Sequence, residues 1–164
     1  LHGGSISARS PGLGHGAEFI VRLPLYEEAP AQATAAREAP VVERSIRLLV
    51  VDDNQDAADT MAMLQQLRGH EVRVAYDGPA AISLAEEFLP EVILLDIGLP
   101  GMDGFEVARS IRSMPVLEKA FLIALTGYGS ESDRAKALAA GFDEHLPKPA
   151  DLDLLRSWFS TRVG

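Results

Sequence analysis

Hydrophobic positions are spaced in two different ways along this chain. In residues 4–10 (GSISARS) and 17–23 (AEFIVRL) apolar and polar residues alternate, and a turn-rich stretch, Pro11-Gly12-Leu13-Gly14-His15-Gly16, separates them. Period two on both sides of a glycine-rich turn predicts a strand–loop–strand unit. The unit holds too few apolar residues for a core of its own, because an isolated hairpin is marginal in water. From residue 46 onward the spacing changes to short continuous apolar runs separated by helical periods. Ile46–Val51, Val92–Leu95 and Phe121–Leu125 read as strands buried on both faces, with shorter strands at Val72–Tyr76 and near Glu144–Leu146.

The intervening segments read as helices. Gln55–Arg68 carries apolar residues at 57, 58, 61, 64 and 67 and is closed by Gly69. Pro79 fits the first turn of a helix bearing Ala81, Ile82, Ala85, Phe88 and Leu89. Asp103–Ser113 presents Phe105, Val107, Ala108 and Ile111 at helical spacing. Ser130 with Asp133 resembles a capping box that opens a helix ending before Gly141. A final helix runs from about Asp151 to Arg162. Five strand–helix pairs, each with a connection long enough for a right-handed crossover, predict an α/β fold: a doubly wound parallel sheet with helices on both faces. In such folds the binding crevice lies beyond the carboxyl ends of the strands.

Between the two patterns, residues 26–45 contain six Ala, four Glu and two Pro and little apolar bulk. That composition cannot offset its ordering entropy and reads as an extended linker, with a short Ala-rich helix between Pro30 and Pro40 as the alternative. The predicted organisation is therefore a remnant over residues 1–25, a linker over 26–45 and a domain over 46–164. Leu1-His2-Gly3-Gly4 includes neither an initiator Met nor a signal peptide, which reads as a piece of something longer.

Charge and composition narrow the function classes. The chain has a formal net charge of -9, so neither nucleic acid nor an anionic membrane surface has electrostatic support as a partner. No apolar run approaches the roughly 20 residues that span a bilayer. With Cys 0, disulfide frameworks and thiolate metal sites are excluded.

What the sequence places at the predicted strand ends is polar. The first strand ends in Asp52-Asp53, the third in Asp96 and the fourth in Thr126, and the last leads into Pro147-Lys148-Pro149. One Asp after a strand is commonly a turn or cap residue. Three at adjacent strand ends repel one another unless a cation sits among them, and hard oxygen ligands suit Mg²⁺. Lys148 aimed into the carboxylates supplies a point charge that pairs with Asp96, and the Thr126 hydroxyl can donate to another oxygen. A metal, an ammonium and a hydroxyl around one carboxylate can neutralise a transferring phosphoryl group, with Asp96 as the nucleophile. A cis bond is expected at Lys148–Pro149. In the loop after Asp96 the Gly98 carbonyl is a candidate further metal ligand.

These residues resemble a known family. VVDDN at 50–54, LLDIGLPGMDG at 94–104, LTG at 125–127 and LPKP at 146–149 are similar to the motifs of response-regulator receiver domains of two-component systems. The resemblance covers residues 46 to about 162. It implies a flavodoxin-like (βα)5 sheet in strand order 2-1-3-4-5. It also implies that Asp96 accepts a phosphoryl group from the phosphohistidine domain of a histidine kinase or a histidine phosphotransfer protein. Asp52 and Asp53 would hold Mg²⁺, Thr126 would follow the phosphoryl group as the switch hydroxyl, and Lys148 would bind a phosphoryl oxygen. Receivers report this state through the face made by the fourth helix, last strand and last helix. They commonly carry Tyr or Phe where this chain has His145. The simpler reading of His145 is an ordinary half-exposed strand histidine; the alternative is a switch whose coupling varies with pH. Gly98 and Tyr128 would flank the path of attacking water.

A second resemblance covers LHGGSISARSPGLGHGAEFIVRLPL, which looks like the C-terminal end of the ATP-binding domain of sensor histidine kinases. Together the two imply the C-terminal piece of a hybrid histidine kinase, cytoplasmic, with the upstream nucleotide motifs absent. Such a piece catalyses only its own phosphorylation and dephosphorylation, and its first two strands should fray, pair with each other or add to a neighbour's edge. Dimerisation stays open. A haloacid-dehalogenase-type phosphatase wants a second Asp two residues after the nucleophile, where this chain has Gly98. A flavodoxin needs a hydroxyl- and glycine-rich loop in place of Asp52-Asp53. A receiver fold that only binds partners remains the third reading.

Overall fold

The computed structural model describes residues 4–24, 44–127 and 131–162, with side chains in the last range from 134. Most of the expected linker, the Ser130–Asp133 capping pair and Tyr128 lie outside the described residues. The chain divides into two compact units, residues 1–40 and 41–164.

In the first unit β1 (Ser5–Arg9) and β2 (Glu18–Arg22) pair antiparallel, with Ile6 opposite Val21 and Ala8 opposite Phe19. Of the three fates expected for these strands, they show pairing with each other. Every residue of β1 is exposed, and in β2 only Ile20 is half-buried, so the hairpin forms no core of its own.

The second unit is a five-stranded parallel sheet flanked by five helices. Its strands are β3 (Arg47–Val51), β4 (Glu71–Ala75), β5 (Val92–Asp96), β6 (Phe121–Thr126) and β7 (Glu144–Pro147), in the order β4-β3-β5-β6-β7. Counted from the first strand of this unit, that is the expected 2-1-3-4-5. The helices are α1 (Gln55–Leu67), α2 (Gly78–Phe88), α3 (Gly104–Arg112), α4 (Glu131–Ala140) and α5 (Leu152–Arg162), and a short 3₁₀ turn at Pro115–Leu117 had no counterpart in the sequence reading. Among the described residues, no helix is long and apolar enough to cross a membrane.

The continuous apolar runs follow from burial on both faces. Leu49, Val51, Ile93, Leu95, Leu122 and Ala124 belong to one core, with Ala81, Ala85, Val107 and Ile111 of α2 and α3. Their neighbours in sequence, Leu48, Val50, Val92, Leu94, Ile123 and Leu125, belong to the other, with Ala58 of α1 and Leu155 and Phe159 of α5. Strand alternation thus sends successive residues to opposite layers.

Helix α1 departs from its expected apolar stripe. Its buried residues are Ala58, Ala62 and Gln65, whereas Leu64 and Leu67 are exposed. The face carrying the small Ala58 and Ala62 lies against the sheet, and the larger leucines turn outward. Asn54 caps this helix through its side chain, and Asp103 with Glu106 forms a full capping box on α3.

The loop after β5 is shaped by one close approach. A methyl group on Gly104 would lie 2.3 Å from the Asp96 carbonyl oxygen and 2.6 Å from Ile97 Cα. Only glycine lets the first turn of α3 sit against the strand end, where its N–H donates to the Ile97 carbonyl at 3.2 Å. Gly104→Ala is expected to destabilise the domain by about 3 kcal/mol, since the obstacle is backbone. Urea denaturation with an unchanged midpoint would contradict it.

Candidate functional site

The sheet register assembles the polar strand ends. Val51 pairs with Leu95, so Asp52 and Asp96 are the next residues on adjacent strands. Thr126 pairs with Pro147, which brings Lys148 to the same edge, where its N–H donates to the Thr126 carbonyl at 2.7 Å. The Lys148–Pro149 peptide is cis, as expected.

Asp52, Asp53 and Asp96 each offer a carboxylate oxygen, and these oxygens all lie within 4.8 Å of one another. Asp52 and Asp96 are buried and Asp53 is exposed, so the cluster has a wet side and a dry side. Lys148 Nζ bridges the two buried members, at 2.6 Å from Asp52 Oδ2 and 2.8 Å from Asp96 Oδ2. The contact with Asp96 was expected; the shorter one to Asp52 was not. Backbone N–H groups complete the shell, Asn54 donating to Asp52 Oδ1 at 3.0 Å and Gly98 to Asp96 Oδ1 at 2.9 Å. A methyl group on Gly98 would lie 3.5 Å from Asp96 Oδ1, so this position borders the carboxylate.

Burial by itself would lower the Lys148 pKa, but the hydrogen bonds to Asp52 and Asp96, with their coulombic attraction, outweigh it and raise the value above the ordinary 10.5. A raised folded-state pKa gives a stabilising contribution that is complete below the unfolded-state value and lost as pH climbs through the raised one. The urea midpoint should therefore fall more steeply above about pH 10.5 in the wild type than in Lys148→Met. Parallel curves would contradict this.

Thr126 is fully buried, and its Oγ1 has no hydrogen-bond partner among the described residues. A buried hydroxyl left unmatched costs about 1–3 kcal/mol, so Thr126 Oγ1 has unused capacity to donate. With oxygen-only donors and one exposed carboxylate, the cluster also fits a hard divalent cation such as Mg²⁺. His145 is half-buried on β7 beside a small cavity of about 90 Å³ that Arg134 and Leu138 also line. The structure thus brings Asp52, Asp53, Asp96, Gly98, Thr126 and Lys148 to one edge, with His145 on the last strand.

A parallel sheet in this order, with acidic residues at the ends of its first and third strands and a lysine after its fifth, defines a class of signalling domain. The chain belongs to the response regulator receiver domain family, which matches residues 48–159. A protein of Leptolyngbya boryana, described as an uncharacterized 14.6 kDa protein, is 42% identical over 110 residues, covering 66% of this chain and 84% of that protein. The response regulator PleD of Caulobacter vibrioides is 36% identical over 107 residues, 65% of this chain but only 24% of PleD. The receiver domain of the sensor histidine kinase PA1611 from Pseudomonas aeruginosa superimposes with a TM-score of 0.67 at 29% identity, covering 73% of this chain and 98% of that domain. That structure has a magnesium ion coordinated in its active site cleft.

Proposed function

We propose that Asp96 is the phosphoacceptor of this receiver domain and takes its phosphoryl group from a phosphohistidine. The observation that supports this most is the Lys148 ammonium bridging the buried Asp52 and Asp96 carboxylates, with Thr126 at the end of the neighbouring strand. An Asp96 oxygen attacks phosphorus; the O–P bond forms as the P–N bond breaks, and the imidazole leaves with the electron pair and takes up a proton. Asp52, Asp53 and Asp96, with the Gly98 carbonyl, would hold Mg²⁺, which when bound supplies positive charge to the phosphoryl oxygens. Lys148, already at Asp96, passes to a phosphoryl oxygen, and the Thr126 hydroxyl donates to another.

The test is incubation with Mg²⁺ and a small-molecule phosphodonor, followed by intact mass. A gain of one alkali-labile phosphoryl group is expected. No gain, or steady release of phosphate from many phosphomonoesters, overturns the reading.

The wider context belongs to the same proposal. Residues 1–25 are the end of a kinase ATP-binding domain, 26–45 a linker and 46–164 the receiver of a cytoplasmic hybrid histidine kinase. Its donor is the phosphohistidine domain of that kinase or a histidine phosphotransfer protein, with no nucleic-acid or direct membrane contact by this segment. A parent chain lacking nucleotide-binding motifs upstream of Leu1 would overturn this. His145, with Thr126, is the candidate switch; Arg134, Asp143 and Glu144 line the same cavity. His145→Tyr is expected to change phosphorylation-dependent partner binding while leaving phosphoryl uptake intact. Unchanged binding by the variant leaves His145 an ordinary strand residue.

A further inference from the structure

At the end of the sheet opposite the carboxylates, a groove of about 500 Å³ is lined by Arg44, Arg47, Lys119 and Arg162, with Glu91 as its one carboxylate. Residues 46–164 carry 19 acidic against 11 basic side chains, so this gathering of positive charge is local. Glu91 is already engaged, accepting from the Arg44 guanidinium at 2.6 Å and from the Arg47 backbone N–H at 3.1 Å. Arg47 Nε donates to the Leu89 carbonyl at 2.9 Å, which anchors the side chain at the end of α2. The Arg162 guanidinium lies 5.7 Å from the centre of the Phe121 ring and 3.7 Å from a Glu144 oxygen. Lys119 makes no ion pair among the described residues.

The same groove is lined by apolar side chains that water reaches. Val116 is 69% exposed and Leu89 41%. Cations beside wet apolar side chains describe a ligand with two chemistries. A simple inorganic anion would use the cations and leave Val116 and Leu89 uncovered. An extended nucleic acid would meet a chain of net charge -9 on either side of a short cationic patch. Phe121 is only 7% exposed, so no aromatic face is open for a base to stack on. A short peptide that alternates carboxylates with aliphatic side chains matches both the charge and the apolar surface.

We propose that this groove is a docking site for an acidic, aliphatic-rich peptide segment of a partner protein. The site lies a strand's length from Asp96, roughly 15 Å at about 3.3 Å per residue, so its occupant does not compete with phosphoryl transfer. The proposal is independent of the assignment of Asp96.

The test uses the whole chain and a fluorescein-labelled peptide of about ten alternating Glu and Leu residues, read by anisotropy at low salt. Saturable binding is expected, weakened about five-fold or more by Lys119→Glu and about two-fold by Val116→Ser. Both positions are exposed, and unchanged urea midpoints would show that the variants fold. Amide shifts should fall on residues 89–91 and 116–121. Absence of saturable binding, or equal binding by Lys119→Glu, overturns the proposal. So does a single-stranded oligonucleotide or inorganic phosphate binding as tightly as the peptide.

Discussion

Asp96→Asn is expected to take up no phosphoryl group from a small-molecule phosphodonor while keeping the fold. The substitution preserves shape but replaces an anionic oxygen by an amide oxygen that is a poor nucleophile. Its Oδ1 can still accept the Gly98 N–H that Asp96 accepts at 2.9 Å. Lys148 keeps its 2.6 Å contact to Asp52, so the ammonium is not left alone. One negative charge is also removed from a cluster whose oxygens lie within 4.8 Å of one another, which relieves repulsion in the absence of a cation. The two effects oppose, and the urea midpoint should stay within about 1 kcal/mol of wild type. Phosphoryl incorporation by the variant, seen by intact mass, would move the acceptor to another residue. Loss of uptake with loss of the fold would leave the assignment unsupported.

Arg112→Ala is expected to produce a large loss of stability for a substitution outside the apolar core. Arg112 ends α3 and fastens two other segments, residues 118–120 and 141–143. Its Nε donates to the Gly141 carbonyl at 2.7 Å, and one terminal nitrogen donates to the carbonyls of Glu118 at 3.0 Å and Ala120 at 2.7 Å. The other reaches Asp143 Oδ2 at 2.6 Å, the same oxygen that accepts the Leu122 N–H at 2.8 Å. Truncation leaves those carbonyls without donors around the start of β6 and the turn into β7. The Asp143 side chain is 43% exposed, so the ion pair itself contributes little. The carbonyl bonds carry the effect, about 3 kcal/mol in total, or a fall in melting temperature of roughly 10 °C. Lysine should recover only part of it, because one ammonium cannot reproduce the planar fork. A midpoint within 1 kcal/mol of wild type, measured by urea denaturation, would show that water replaces the guanidinium without loss.

The role of Arg112 also marks where sequence reading stops. The strands were legible because Leu48–Val51, Val92–Leu95 and Phe121–Leu125 are apolar at every position, a pattern that burial on both faces requires. Asp52, Asp96 and Thr126 were legible because each is the first polar residue after such a run, with Asp53 beside Asp52, and Lys148 because prolines flank it after the last strand. Arg112 gave no comparable signal: its partners lie at residues 118, 120, 141 and 143, and only the packed fold brings them to one guanidinium. The cationic groove was hidden for the same reason. Residues 44, 47, 119 and 162 are scattered through a chain whose net charge points the other way. In α1 the helical period was right but the face was misjudged, since Ala58 and Ala62 carry less bulk than Leu64 and Leu67 and so pack closer to the sheet. The Asp103–Glu106 capping box on α3 is written in two residues at the standard spacing.

The bridge made by Lys148 joins residues 96 and 52 positions apart in sequence. A ribosome that has released β3, β5 and β6 has made both buried acids but not yet the base that balances them. Until the final strand docks, the two acids lack the ammonium that bridges them. Completion of the sheet by its last strand is therefore the step that brings the balancing base to the two buried acids.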